Sequence, residues 1–174
     1  MEMIEYFTEK EYKEAKKQRN LTLTAYLIVM GIYIAFSIAM LVWYRTLPYK
    51  SPTIKTVKWV HYPVTVVAVL FSVLFLGIKF KRVNRYYQMA FNLMYSRRET
   101  SVGSFLEYRE DLQEKDGVDC KSLIFIEWNK YKKDYFERKV LVLYEKEFPK
   151  IPENANVEYV TQANVLVSYK ILEN

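Results

Sequence analysis

Hydrophobic positions in this chain are gathered into two kinds of pattern. Two unbroken apolar runs, Leu21 to Tyr44 and Val57 to Phe80, dominate the first half, while residues 101–174 show short stretches alternating apolar with polar. Each run is 24 residues long. As a helix it would reach about 36 Å, against a bilayer hydrocarbon core of about 30 Å. Neither run contains an acidic residue, and no charge of either sign lies between Leu21 and Trp43. The pattern predicts two transmembrane helices joined as a hairpin, TM1 over about 21–44 and TM2 over about 57–80, with a loop at 45–58.

The flanks of the runs extend this picture. Thr8-Glu9-Lys10-Glu11 has capping-box spacing, with Thr8 at the N-cap and Glu11 at N3. No proline follows before Pro48, so one helix should start in water and continue into the first span. Glu9, Lys13 and Lys17 recur every four residues, as on a solvated helical stem. The alternative is a helix lying on headgroups, anchored by Ile4, Phe7 and Tyr12. Pro48 and Pro52 interrupt the loop, and Pro63 is expected near the start of the second span, where a missing N–H costs least. Trp43, Tyr44, Trp59 and Tyr62 sit where an interfacial aromatic belt belongs. After the second span, Lys81 to Tyr95 reads as an amphipathic stem continuing to about residue 98, with Arg82, Arg85, Arg97 and Arg98 placed to meet anionic headgroups.

Small residues recur every four positions inside the runs: Gly31, Ala35 and Ala39 in the first, Ala68 and Ser72 in the second. Such spacing lets helix backbones approach closely in lipid. It would serve either closure of the hairpin or docking of a second copy or another membrane protein. No Asp, Glu, Lys or Arg is placed to mark an ion or proton path within the bilayer, which argues against a self-contained transporter.

Residues 101–174 change character. Phe105 to Arg109, Lys121 to Trp128, Tyr135 to Tyr144, Val157 to Thr161 and Val165 to Ile171 are rich in β-branched and aromatic residues. Turn formers separate them: Asp116-Gly117, Asn129 to Lys133, the Pro149 and Pro152 connection, and Thr161 to Asn164. Five strands in so short a segment predict a small antiparallel β-barrel-like domain of the SH3 or OB kind. The fold class expected is thus membrane α plus β: residues 1–100 a hairpin with helical stems, residues 101–174 a small soluble β domain.

Charge fixes the expected orientation. Residues 1–100 hold 15 Lys and Arg against 6 Asp and Glu, a balance of +9, and residues 101–174 hold 11 against 14, a balance of −3. Five basic residues precede the first span, six lie at or just past the end of the second from Lys79 to Arg98, and four lie in the loop. The positive-inside rule then places both termini in the cytoplasm, as a multi-pass protein of the cell membrane if the source is prokaryotic. The charged stretch and long apolar run at the N-terminus do not resemble a secretory signal.

Candidate chemistry is sparse. The single histidine, His61, falls at the expected membrane edge, and the single cysteine, Cys120, in an expected strand. Neither a Ser-His-Asp or Cys-His pair nor a thiolate metal set can be assembled from these within one chain. No phosphate-binding glycine motif occurs among four glycines. Glu107, Glu110, Asp111, Glu114, Asp116 and Asp119 read as solvated carboxylates. The segment Tyr159 to Leu166 carries Thr161, Gln162 and Asn164, polar residues that fix a bend or form a recognition edge. Tyr108, Trp128, Tyr131 and Tyr135 could stack on bases in an OB-like groove, but the acidic balance of the domain disfavours nucleic acid.

These readings lead to one expectation: a non-enzymatic integral membrane protein, without cofactor or metal, presenting a small cytoplasmic β domain as an interaction or regulatory module. Its expected partners are an anionic bilayer and a membrane protein or a second copy of itself. The alternative is an accessory or oligomeric subunit of a membrane transport system, with Thr22, Thr24, Ser37, Thr65 and Ser72 lining a path.

Overall fold

The computed structural model describes residues 3–129 and 131–172, organised as two compact units, Lys17–Asn84 and Met1–Lys16 with Arg85–Asn174. Two long apolar helices and a closed five-stranded β-barrel are its main parts.

Helix α1 (Glu9–Thr46) runs unbroken through the first apolar run. At its start the Thr8 N–H donates to Glu11 Oε2 at 2.8 Å, the glutamate arm of the capping box. Helix α2 (Thr53–Leu74) passes through a π-helical turn, Phe75–Phe80, into helix α3 (Lys81–Tyr95). The link is shorter than the expected 45–58, because α1 persists to Thr46 and α2 begins at Thr53. Pro48 and Pro52 account for it: one cannot continue a helix, and the other sits at φ −60°, already suited to starting one. Pro63 lies well inside α2 and not in its first turn, so the Trp59 carbonyl loses its usual helical donor.

Within the Lys17–Asn84 unit, α1 and α2 meet through tyrosine side chains of α1 set against Thr65 and Ser72 of α2. Tyr33 donates its hydroxyl to Thr65 Oγ1 at 3.1 Å, and Tyr26 its hydroxyl to Ser72 Oγ at 3.3 Å. Rings of Tyr26 and Phe75 stack at 5.5 Å. The outward faces are bare. In the most apolar 18-residue window of each long helical stretch, 6% of residues are buried in the first and none in the second. A core helix of the same length in a water-soluble protein would be mostly covered.

The barrel uses five strands: β2 (Glu99–Lys115), β3 (Val118–Asn129), β4 (Asp134–Leu143), β5 (Asn156–Gln162) and β6 (Val165–Ile171). Neighbours run β6-β4-β3-β2-β5 and back to β6. All pairs are antiparallel except β4 with β6, which run parallel at Leu141 and Val165, a departure from the expected all-antiparallel sheet. Strand β2 is far longer than the predicted Phe105 to Arg109 because it serves two neighbours. Glu99 to Ser104 pair with β5, Ser104 to Lys115 pair with β3, and a register shift between Phe105 and Glu107 marks the bend. A further two-residue strand, β1 (Ile4–Glu5), adds to β6 opposite Tyr169 and Ser168.

The sheet is buried on two sides. Phe105, Leu123, Phe125, Val140, Val157 and Leu166 fill the barrel interior. On its outside, Met89, Ala90 and Leu93 of α3, with Phe7, Tyr12 and Ala15, cover Cys120, Leu143, Val165 and Val167. The apolar face of α3 therefore meets the barrel rather than the headgroups it was expected to contact. Phe7 and Tyr12 are likewise buried protein contacts and not shallow lipid anchors; Ile4 remains exposed on β1.

Gly103 lies on β2 just ahead of the bend, where a Cβ would come within 2.9 Å of the Ile126 carbonyl oxygen and 3.1 Å of Glu127 Cγ. Strand β2 crosses here with no room for a side chain. Gly103→Val is expected to destabilise the barrel by about 1–3 kcal/mol, the usual cost of overpacking. A lower thermal midpoint of the near-UV circular dichroism signal in detergent would register it. Gly31→Ala, where nothing lies within 4 Å of the added carbon, should leave that midpoint unchanged.

Candidate functional site

The strongest polar constellation lies inside one end of the barrel. Alternation along β4 turns Val140 and Val142 inward, and Arg138 shares their face. On β3, Glu127 follows Leu123 and Phe125 into the same space. The two charges meet with Arg138 Nη1 3.4 Å from Glu127 Oε1. The same guanidinium donates to Ser101 Oγ at 2.7 Å and Glu99 Oε2 at 3.3 Å on β2, to Thr161 Oγ1 at 3.4 Å on β5, and to Asn164 Oδ1 at 3.4 Å in the last turn. Tyr159 donates its hydroxyl to Glu127 Oε1. Burial first, and then that bond to the carboxylate, hold the Tyr159 phenol well above its ordinary pKa, so it stays a neutral donor.

Arg138 thus ties β4 to β3, β2 and β5 through one planar group whose donors diverge. Its side chain is only 18% exposed and that of Glu127 11%. The donors and acceptors are turned on one another, which makes the cluster a closing bolt across the barrel mouth. Of its members, sequence reading singled out Tyr159, Thr161 and Asn164. Asn164 and Ala163 take positive φ, 68° and 47°, in the tight β5–β6 turn, as the bend reading requires. Glu127 and Arg138 escaped notice, although their in-register spacing with Phe125 and Val140 was a usable signal.

The opposite end is closed by the connection after β4. The Tyr108 hydroxyl donates to the Pro149 carbonyl at 2.7 Å and accepts the Ile151 N–H at 2.9 Å, while its ring packs on Phe105 at 4.5 Å and Phe148 at 4.8 Å. Tyr108 is therefore a structural clamp. The N-terminal arm is fastened by Lys146, whose Nζ lies 2.5 Å from Glu11 Oε1 and donates to the Tyr6 carbonyl.

The other residues named from sequence are dispersed. Gly31, Ala35 and Ala39 lie exposed on α1, away from the Tyr33–Thr65 contact, while Ala68 and Ser72 are half-buried on α2. Ser72 donates to the Ala68 carbonyl at 2.8 Å. Arg85 reaches Glu114 at 3.7 Å and crosses the β2–β3 turn, where Gly117 takes φ +80°. Arg98 donates to the Leu93 carbonyl at 3.0 Å and the Met94 carbonyl at 3.2 Å, capping α3. Arg82 and Arg97 are exposed. His61 stacks on Phe36 at 6.3 Å. Cys120 is buried, and burial, followed by the charges of Asp119 and Asp116, pushes its thiol up to about 11. Trp128, Tyr131 and Tyr135 lie together at the β3–β4 hairpin, exposed; Lys130 lies outside the described residues. Among the described residues, no three His, Cys, Asp or Glu side chains gather as metal ligands.

The chain matches no protein-family model, no curated protein and no solved structure.

Arg138→Met strands Glu127 as a buried, uncompensated charge and should cost about 3–5 kcal/mol. Arg138→Met combined with Glu127→Gln should be milder, because a neutral amide still accepts the Tyr159 hydroxyl. Urea midpoints of the two variants in detergent check the order; an equal or larger loss in the double variant contradicts it.

Proposed function

We propose that this chain is a non-enzymatic integral membrane protein whose two-span hairpin carries a small β-barrel as a cytoplasmic interaction or regulatory module. The observation that carries this reading is the bare outward surface of α1 and α2: side chains such as Ile32 at 67% and Val67 at 65% exposure have no cover within the protein. A bilayer supplies that cover without any further polypeptide. The link Leu47–Pro52 is too short to cross again, which supports both chain ends facing one side, and the count of basic residues favours the cytoplasm. Of the four arginines on α3 and just after it, Arg82 and Arg97 are exposed and are the ones this reading sets against anionic headgroups, since Arg85 and Arg98 have partners within the chain. The barrel is read as OB-like rather than SH3-like, on its long bent first strand, shared by two neighbours, and its parallel closure between third and fifth strands.

A second reading has one observation in its favour. The exposed Gly31, Ala35 and Ala39 face would let another helix approach closely. This supports self-association or a membrane-protein partner, as in an accessory subunit of a transport system. Thr65 and Ser72, which were candidates to line a path, form hydrogen bonds inside the hairpin.

Orientation is tested by single cysteines in a Cys120→Ala background, Ser51→Cys in the link and Glu153→Cys on the barrel. In intact cells a membrane-impermeant maleimide should label position 51 alone, with position 153 reacting after lysis. The reverse pattern turns the protein over, and labelling of both in intact cells refutes the hairpin. Native Cys120 should stay silent in both conditions, because its buried thiol is protonated at neutral pH.

A further inference from the structure

The end of the β3–β4 hairpin holds aromatic side chains out in water. Tyr131 is 99% exposed, Tyr135 68%, Trp128 50% and Phe136 41%. The turn that presents them is built. Trp128 and Tyr135 oppose one another across the ladder, with ring centroids 4.9 Å apart at 65°. Asn129 Oδ1 accepts the N–H of Tyr131 at 2.9 Å and of Lys132 at 3.1 Å, and Lys133 takes φ 50°. Among the described residues these rings make no ring contact beyond the Trp128–Tyr135 pair, and together they form an apolar patch of the kind that marks an interaction surface.

Charge identifies what would cover it. Between Trp128 and Phe136 the sequence has Lys130, Lys132 and Lys133 against Asp134 alone, whereas residues 101–174 as a whole hold 11 basic and 14 acidic residues. The tip is locally basic within an acidic domain. Tyr and Trp rings beside lysines are the chemistry of a bilayer interface, where rings settle at headgroup depth and lysines meet anionic phosphate. Single-stranded nucleic acid could use the same rings but needs a basic groove along the strands. The strands here carry Glu107, Asp111 and Glu137.

We infer that the β3–β4 tip is a second membrane-contact site, in which Tyr131 and the Trp128–Tyr135 pair enter the headgroup layer of an anionic bilayer while Lys132 and Lys133 contact lipid phosphate. The inference rests on the membrane reading above. It makes attachment of the barrel to the bilayer dependent on lipid charge, a property that hairpin anchoring alone would not confer.

The test places an environment-sensitive fluorophore at Tyr131→Cys or at Ile34→Cys, each in the full chain with Cys120→Ala. Both proteins are reconstituted in nanodiscs of phosphatidylcholine, with or without phosphatidylglycerol. At position 131 the emission should shift to the blue and be quenched by headgroup-level nitroxide lipid only when phosphatidylglycerol is present. Lys132→Glu with Lys133→Glu should return it to the aqueous value. Position 34 should report an apolar setting in both discs. An aqueous signal at 131 beside an apolar one at 34 overturns the inference and leaves the membrane reading standing. Equal shifts at 131 in neutral and anionic discs, or a shift there only on adding a single-stranded oligonucleotide, also overturn it. Aqueous signals at both positions overturn the inference together with the membrane reading.

Discussion

Apolar surface must find cover, and the two units of this chain meet that requirement differently. The barrel covers its own, inside through Phe105, Phe125 and Val157 and outside through α3 and residues 7–15. Burial on both sides explains why β6 reads as a continuous apolar run from Val165 to Val167, since no face of that segment is left to water. The long helices do the opposite. They close on each other through hydroxyl and aromatic contacts and leave their remaining surface bare. At roughly 25 cal/mol per Å2 of apolar area, this bare surface is the one the proposed bilayer would cover.

Closing a barrel of only five strands raises a second problem, because its mouths expose backbone ends and interior side chains. One mouth is filled by Phe148 and Ile151 under the Tyr108 clamp. The other is filled by charge. Arg138 reaches β2, β3 and β5 at once, and Tyr159 adds a neutral donor to Glu127. A buried ion pair is a weak source of net stability, whereas removing one of its partners is costly because the other is left buried and unpaired. Lys146 plays a similar part for the N-terminal arm, where one ammonium group serves a carboxylate and a carbonyl and lies 4.6 Å over the Tyr6 ring.

Much of this is legible in the sequence. Five stretches rich in β-branched and aromatic residues, several of them alternating, became five strands, and the apolar runs became long helices, because residue type and periodicity report on local structure and on which face is buried. Legibility ended where a partner far along the chain decides the outcome. The outer part of β2 is rich in Glu and Asp and has little strand propensity of its own; pairing with β3 creates it. The two residues of β1 form a strand only because β6 is there to receive them. The apolar face of α3 was readable as a face, but nothing local distinguishes cover by headgroups from cover by Cys120 and Val167. Small residues at Gly31 and Ala35 likewise announce close approach without naming what approaches. The Glu127–Arg138 pair was the most recoverable omission: both continue inward-facing apolar series, and a charge in such a series demands a partner.

The claim that lipid covers α1 and α2 is tested most directly by spin labels at Ile28, Ile32, Val67 and Leu70 in reconstituted bilayers, with Glu153 on the barrel as the reference. Collisions with oxygen, which concentrates in hydrocarbon, and with a water-soluble nickel chelate would be compared at each site. The account predicts high oxygen and low nickel accessibility at the four helix positions and the reverse at position 153. Nickel access at the helix positions equal to that at 153 would place these faces in water and contradict it.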